Sequence, residues 1–227
     1  MKRLVAFGCS HTWGEAITKN HSSLLDKSLK ASKYSWPYLL GNLLDVEVIN
    51  ISKSGESNKA IAHKILNFNF LPDDIVIPLW THIETRSCII QNFNKSEDTN
   101  YERIYSWYKE SGDSQFSKKE YDRIDLYFKN FHTNADSKFE SLSYIQSSNF
   151  ILNSKVKTII NCFAIYHNLN FIKKYSSLTN IFNKPFYEGY LKYGLAFDNV
   201  HLSLKANEEF AKELYDFLKK EKKINII

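Results

Sequence analysis

Short apolar runs separated by longer, mixed stretches set the pattern of this chain. Four runs have the length and composition of buried strands, at residues 3–9, 46–51, 75–80 and 156–165. The mixed stretches between the first three runs repeat apolar residues at helical spacing. Strands that alternate with helices are typical of a parallel sheet covered on both faces. Pro78 cannot donate to a strand ladder, so we expect a bulge or a locally unpaired position there.

Three amphipathic helices are predicted around these runs. The first opens at Ser35-Trp36-Pro37, where Ser35 can cap the helix and Pro37 fits its first turn. The second begins near Asn58, and the third closes the chain. Each has an apolar face that we expect to point inward: Leu39, Leu40, Leu43 and Leu44 in the first, Ile61, Ile65 and Leu66 in the second, and Leu204, Phe210, Ala211, Leu214, Phe217 and Leu218 in the third.

Three residues lie at or just beyond the carboxyl ends of the first three predicted strands. They are Ser10, Gly55 and Thr81. In an open parallel sheet, ligands bind at the edge where the carboxyl ends of the strands meet. The strand pattern alone therefore predicts that these residues converge on one site.

Residues 87–150 do not follow the alternation. We expect them to form a helical, aromatic-rich insertion within a single domain of residues 1–227, with helices at Tyr101–Glu110 and Lys118–Phe131. The aromatic rings could pack as core, or they could form a cap over Ser10 that contacts a sugar or an acyl chain. The residues concerned are Tyr101, Tyr105, Trp107, Tyr108, Tyr121, Tyr127, Phe128 and Phe131.

The composition mainly excludes classes of protein and kinds of site. A chain of 227 residues, 43% apolar and 24% charged, suits one folded domain. Cys9, Cys88 and Cys162 are odd in number and widely spaced, which argues against a disulfide framework or a zinc site and favours a reducing, cytoplasmic location. No apolar run approaches the roughly 20 residues of a membrane span, and no signal peptide is expected.

The formal net charge is +5, and the densest basic run is residues 219–223. We interpret this run as a solvated helix end rather than a contact for phosphate, so no nucleic-acid partner is expected. The sequence has neither a P-loop nor a dinucleotide-binding glycine motif, and no cofactor or metal is expected. The pattern does not specify an oligomeric state.

Two short motifs could together carry out nucleophilic catalysis. Gly8-Cys9-Ser10 would present a hydroxyl at a strand-to-helix turn that exposes Ser10. In Asp198-Asn199-Val200-His201, a carboxylate three residues before a histidine can reach the Nδ1–H of that histidine, which leaves Nε2 free to accept the serine proton. Taken separately, each motif has an ordinary alternative, a helix-capping serine in the first case and a surface pairing in the second.

These motifs resemble those of the SGNH/GDSL family of hydrolases. Gly8-Cys9-Ser10 is similar to the first block of that family, and Asp198 with His201 is similar to the last block, ahead of a final helix. Asn50 and residues 54–58 resemble the second block. The resemblance implies a three-layer α/β/α sandwich with a flavodoxin-like sheet of about five parallel strands. It also implies that Ser10 is the nucleophile, with an oxyanion hole that uses the N–H groups of Ser10 and Gly55.

The third block departs from the family pattern, which has a Gly-x-Asn-Asp sequence after the third strand. This chain has Trp80-Thr81-His82 instead, with Arg86 beyond, which resembles a divergent branch. Thr81 is the expected side-chain oxyanion donor, with Asn58 or His82 as alternatives, or the donor could be absent. Substrate contacts are expected from Trp80, His11 and Arg86. Core packing is an equal alternative for Trp80, and an exposed position in the first turn is the favoured alternative for His11.

The expected activity is the hydrolysis of a carboxylic ester through Ser10, His201 and Asp198. Family habit suggests a small acyl group on a carbohydrate as the substrate. Two alternatives remain open. One is a binding protein that keeps the fold without turnover, and the other is an acyltransferase or thioesterase that uses the same triad.

Overall fold

The computed structural model describes residues 2–21, 30–83, 86–90, 101–105 and 118–221, with the backbone alone at residues 86–90, 101–105, 120 and 121. Strands and helices alternate along this part of the chain. The strands are β1 (Arg3–Phe7), β2 (Glu47–Asn50), β3 (Ile75–Trp80), β4 (Arg86–Ile90), β5 (Tyr101–Tyr105), β6 (Thr158–Ile159) and β7 (Cys162–Phe163). The helices are α1 (Ser10–Trp13), α2 (Trp36–Leu44), α3 (Asn58–Asn67), α4 (Lys118–Asn130), α5 (Asn134–Lys155), α6 (Tyr166–Tyr175), α7 (Phe186–Tyr190) and α8 (Leu204–Lys220).

The main sheet is parallel, as the alternation of strands and helices predicts. Its strands run in the order β2-β1-β3-β6, and β7 continues along β3 beyond β6. This is the flavodoxin-like arrangement, in which the chain reverses its direction of winding beside β1. The four predicted strand segments are thus confirmed, with the last one divided into two short strands.

Pro78 explains why that last segment is divided. β3 pairs with β6 through Ile75 and Val76, and with β7 through Leu79 and Trp80, in one unbroken register. The interruption therefore lies opposite Pro78, which has no N–H to donate. Of the two accommodations that the sequence allowed, the structure has the locally unpaired position and no bulge.

Helices cover both faces of the sheet, and the alternation of side chains in the strands sorts the core into two clusters. Leu4 and Ala6 of β1 point toward the cluster built with α2, α7 and α8. Val5 and Phe7 point toward the cluster built with α3, α5 and α6. The result is the expected three-layer α/β/α sandwich. None of the helices in the described ranges is both long enough and apolar enough to cross a membrane.

Two details of the predicted helices are wrong. Ser35 stands at the cap position of α2, but its hydroxyl donates to the carbonyl of Ser32, and the first helical N–H, that of Trp36, is bound by the side-chain oxygen of Asn207. A residue from α8 therefore replaces the expected local cap. Two leucines expected to point inward are exposed instead, Leu43 of α2 at 45% and Leu66 of α3 at 51%, because the buried faces follow Leu40 in α2 and Ile61 with Ile65 in α3.

The structure also revises the region predicted as a helical insertion. β4 and β5 form an antiparallel pair, so the helix expected at Tyr101–Glu110 is wrong for residues 101–105, and its remainder lies outside the described residues. Residues 101–105 form a strand because β4 supplies the hydrogen-bonding partner for their backbone. The helix expected at Lys118–Phe131 is confirmed as α4. α5 packs against α3, and its Ile145 and Leu152 are fully buried in the core cluster on that side of the sheet.

Candidate active site

Ser10 is the first residue of α1, directly after the carboxyl end of β1. Cys9 occupies the cap position, so Ser10 is not the helix-capping serine of the ordinary alternative. Gly8 is required by close packing, because a Cβ at this position would lie 2.1 Å from Thr12 Oγ1. Gly14 ends the helix with a φ of +84°, a conformation that favours glycine. These constraints produce a tight strand-to-helix turn around Ser10.

The turn does not expose Ser10 to bulk solvent as the sequence suggested. The residue is 3% exposed, and it lines a small pocket together with Phe186 of α7 and Asn207 of α8. Among the residues that the structure describes, neither the backbone N–H of Ser10 nor its Oγ has a hydrogen-bond partner. Both groups are therefore available to a ligand.

His201 and Asp198 lie on a turn between α7 and α8. Leu195 and Leu202 pair as an antiparallel bridge at its base, and Asn199 adopts a φ of +57° at its tip. This left-handed residue reverses the chain, and the backbone N–H groups that follow it point back at Asp198. The side chain of Asp198 receives three hydrogen bonds: Val200 N to Oδ1 at 2.9 Å, His201 N to Oδ1 at 2.9 Å and His201 Nδ1 to Oδ2 at 2.6 Å.

Two opposed effects act on the pKa of Asp198. Partial burial alone would raise it, but the backbone N–H of His201, the ring of His201 and the backbone N–H of Val200 outweigh that effect and lower the pKa below its usual range. The carboxylate is therefore charged at neutral pH. A charged Asp198 selects the His201 tautomer with its proton on Nδ1, which leaves Nε2 as a base.

A small cavity, with about 140 Å³ of empty space that is partly open to solvent, brings the two predicted motifs together. Ser10 and His201 both line it, although they are 191 positions apart in the sequence (201 − 10). Their convergence comes from the parallel sheet and from the return of the chain after α7. The full lining is Ser10, His11, Gly14, Glu15, Ile17, Phe186, His201, Leu202 and Asn207.

Two polar residues of this lining were not predicted from the sequence to belong to the catalytic site. Glu15 is a buried carboxylate that follows α1, and Asn207 is a buried amide in the first turn of α8. Asn207 accepts from Trp36 N at 3.0 Å and donates to the carbonyl of Ser203 at 2.9 Å, so it joins the starts of α2 and α8 at the cavity wall. A polar residue on the otherwise apolar face of the last predicted helix was the available signal for Asn207.

The expected oxyanion residues other than Ser10 lie at the same edge of the sheet but do not line this cavity. Gly55 follows β2 in a turn with a φ of +77°, and Thr81 follows β3 fully buried. Asn58 holds the backbone of Thr81 on both sides: its Oδ1 accepts from Thr81 N at 2.9 Å and its Nδ2 donates to Thr81 O at 3.3 Å. Asn168 Nδ2 donates to the same carbonyl at 2.7 Å. The amide of Asn58 is thus engaged in holding Thr81.

The turn that carries Gly55 is held by a buried ion pair. Lys64 on α3 contacts the carboxylate of Glu56, which is fully buried, and also donates to the carbonyl of Ile51 at 2.6 Å. One ammonium therefore joins the two ends of the segment between β2 and α3. Asn50, at the end of β2, donates to the carbonyl of Thr12 at 2.9 Å and so connects this strand to α1.

The residues expected to contact substrate have different environments. Trp80 is fully buried in the core on the α3 side, and its Nε1 donates to Asn161 Oδ1 at 2.9 Å. Of the two alternatives for Trp80, the structure therefore has core packing. His11 lines the cavity and is only 8% exposed, so the expectation of an exposed first-turn histidine is wrong; rings from α7 cover it. His82 is half-buried, and Arg86 is described by its backbone only.

The described aromatic residues of the predicted insertion do not line the cavity. Tyr127 and Phe128 contact each other and the ring of His132, and Phe131 is 70% exposed. Trp107 and Tyr108 lie outside the described residues, and Tyr101, Tyr105 and Tyr121 are described by their backbone only. The cap over Ser10 therefore stays a prediction for those five residues.

Comparisons with known proteins bear on the fold. No protein-family model matches the sequence, and no curated protein matches it either. Among solved structures, an acetyl xylan esterase (Est2A) from the rumen bacterium Butyrivibrio proteoclasticus is similar over 97% of this chain, with a TM-score of 0.55 and 11% identity. The chain spans 64% of the length of that esterase.

Two further structures show the same likeness. A carbohydrate esterase whose active site displays divergent catalytic and non-catalytic binding functions is similar over 96% of this chain and 68% of its own, with a TM-score of 0.54 and 11% identity. A lipase, Lip_vut3, from a goat rumen metagenome is similar over 95% of this chain and 97% of its own, with a TM-score of 0.52 and 13% identity. The chain thus has the three-layer α/β/α fold that the resemblance to SGNH/GDSL hydrolases implies.

Proposed function

We propose that this chain is a serine esterase, with Ser10 as nucleophile, His201 as general base and Asp198 as the residue that orients His201. The observation that carries the proposal is the 2.6 Å contact between His201 Nδ1 and Asp198 Oδ2, on a histidine that lines the same cavity as Ser10. A carboxylate-bound imidazole that shares a pocket with a buried serine hydroxyl is the arrangement that acyl transfer needs.

The reaction would proceed in two halves. Ser10 Oγ attacks the ester carbonyl while His201 Nε2 takes the hydroxyl proton, and the bond to the alcohol breaks as His201 returns that proton to the leaving oxygen. Water then attacks the acyl-enzyme, again with His201 as base, and releases the acid and free Ser10. Asp198 stabilises the imidazolium that forms in each half without taking the proton itself.

The negative charge on the tetrahedral intermediate needs donors that are already in place. The backbone N–H of Ser10 supports this role because it has no acceptor among the described residues. We propose the N–H of Gly55 as the second donor and Thr81 as the third. Asn58 is the weaker alternative, since its side chain already binds the backbone of Thr81.

The size of the cavity favours a small acyl group. Its empty space of about 140 Å³ includes a part open to solvent, and the site encloses almost no volume of its own. Ile17, Phe186 and Leu202 supply apolar surface, whereas Glu15 and Asn207 supply polar groups. An acetyl or similarly short acyl ester fits this combination, and an alcohol that bears hydroxyl groups, such as a carbohydrate, is our proposed second half of the substrate.

Labelling with a fluorophosphonate tests the proposal directly. The reagent should attach to Ser10 in the wild-type protein and should fail in Ser10→Ala, as read by mass spectrometry of the intact chain. Hydrolysis of p-nitrophenyl acetate, butyrate and octanoate should then fall steeply with acyl length. An unlabelled wild-type protein that hydrolyses none of these esters would contradict the proposal.

One observation favours a second candidate, a binding protein on the same fold. Ser10 Oγ makes no hydrogen bond to His201 within the described residues, and Trp80-Thr81-His82 replaces the usual third block. Catalytic hydrogen bonds are often long in unliganded enzymes, so esterase activity remains the better-supported proposal. Binding of an acetylated sugar without turnover, together with absent labelling of Ser10, would establish the second candidate instead.

A further inference from the structure

The ring of His11 touches the ring of His201, the residue proposed above as the base. Their centroids are 5.1 Å apart and the ring planes meet at 64°, an edge-to-face contact. His11 follows Ser10 in α1, so one short helix carries the proposed nucleophile and a neighbour of the proposed base. The contact is close enough to influence where the His201 ring points.

The other side of His11 is backed by the core. Its ring lies 5.4 Å from that of Phe186 and 5.7 Å from that of Tyr187, both on α7. Phe186 is fully buried and packs edge-to-face on Phe210 of α8, at 4.7 Å between centroids. His11 is therefore held in place by a well-packed aromatic cluster. Its ring in turn restrains the ring of His201, which lies on a turn.

His201 needs such a contact because Asp198 restrains only one edge of its ring. The Nδ1–Oδ2 hydrogen bond leaves the imidazole able to pivot about that bond, and both residues stand on a turn whose side chains are partly exposed. A packed ring beside the imidazole blocks the pivot. The direction of Nε2 toward Ser10 depends on this second restraint, since proton transfer requires a narrow range of distance and angle.

We infer that His11 is a positioning residue, which acts through His201 to align its Nε2 with Ser10, rather than a substrate contact. The inference rests on the proposed esterase function and adds a residue to it. It needs the shape of the ring and not its hydrogen-bonding atoms. A phenyl ring of similar size should therefore replace His11 with little loss.

Three variants test this inference through two measured quantities, the kcat of ester hydrolysis and the rate of fluorophosphonate labelling. His11→Ala should lower kcat for p-nitrophenyl acetate on the order of a hundredfold, the cost of a misaligned catalytic group, with KM unchanged. The rate of fluorophosphonate labelling of Ser10 should fall in parallel, because labelling also needs an aligned base. His11→Phe should restore most of both rates. His132→Ala is the matched control, since that ring also packs on aromatic neighbours, Phe128 among them, but lies in the predicted insertion; both its rates should match the wild type.

The outcomes separate this inference from the proposed function. A raised KM with an unchanged labelling rate in His11→Ala, and no rescue by His11→Phe, would identify a substrate contact and overturn the inference while leaving the triad intact. Equal losses of kcat in both His11 variants, with a lowered melting temperature in each, would overturn it in favour of a purely structural role. If the wild type neither labels nor hydrolyses esters, the proposed function itself fails, and the inference with it.

Discussion

The backbone N–H of Phe197 donates a hydrogen bond of 3.2 Å to the carbonyl oxygen of Ala16. This bond joins the turn that carries residues 198–201 to the segment that follows Ser10. Ala16 has a φ of +55°, which is unfavourable for a residue with a Cβ and aims its backbone away from the helix direction. The two halves of the proposed triad are therefore connected through main-chain atoms as well as through the core.

The first prediction concerns the triad. Ser10→Ala or His201→Ala should lower kcat for p-nitrophenyl acetate by several orders of magnitude, because each removes part of one catalytic unit. Asp198→Ala should cost less, since Asp198 orients the base and transfers no proton. Thermal melts should show that each variant is folded. Ser143→Ala on α5 is the matched control, and near-full activity in Ser10→Ala would contradict the assignment.

The second prediction concerns pH and Asp198. The pKa of this carboxyl is lowered in the folded protein, so its charge stabilises the fold above the unfolded pKa of about 3.9 and loses that effect as the pH falls through the folded value. Asp198→Asn should therefore be less stable than the wild type at pH 7, and the difference should shrink only below about pH 4. Urea unfolding at a series of pH values measures it. A difference that vanishes already at pH 6 would show that the charge contributes nothing.

The third prediction concerns Asn199, whose φ of +57° reverses the chain between Asp198 and His201. Asn199→Gly should be tolerated, because glycine adopts this conformation freely. Asn199→Val should destabilise the turn by about 1–2 kcal/mol and lower kcat, since a β-branched residue is strained there. Melting temperature and kcat, measured on both variants, provide the test. Equal behaviour of the two variants would show that the left-handed conformation is not needed.

The fourth prediction separates the candidate oxyanion donors. If Thr81 is the side-chain donor, Thr81→Val should lower kcat on the order of a hundredfold with little change in melting temperature. Asn58→Ala should instead mainly lower stability, by about 1–3 kcal/mol, because it removes the side-chain oxygen that accepts from the buried N–H of Thr81.

His82→Ala completes that series. A large loss of kcat in His82→Ala or Asn58→Ala alone, at an unchanged melting temperature, would transfer the role of donor to that residue. If none of the three variants loses activity selectively, the oxyanion is held by backbone N–H groups alone.

Local patterns in the sequence determined the layers of the fold and the two motifs of the candidate site. The buried strands could be read from unbroken apolar runs, because strands covered on both faces have no polar side. The interruption opposite Pro78 followed from the missing N–H of proline. The contact between Asp198 and His201 was also local, since three residues of a turn suffice to bring carboxylate and ring together.

Tertiary structure decided the features that depend on partners distant in the chain. Tyr101–Tyr105 is a strand because β4 lies beside it, and helical spacing of its aromatic residues could not reveal that partner. Asn207 caps α2, and α7 buries His11, although Asn207 is distant in sequence from α2 and α7 is distant from His11. Apolar spacing records which face of a helix is buried, but not which element buries it. Contacts across the fold, and with them the lining of the cavity, are therefore set only when the layers pack together.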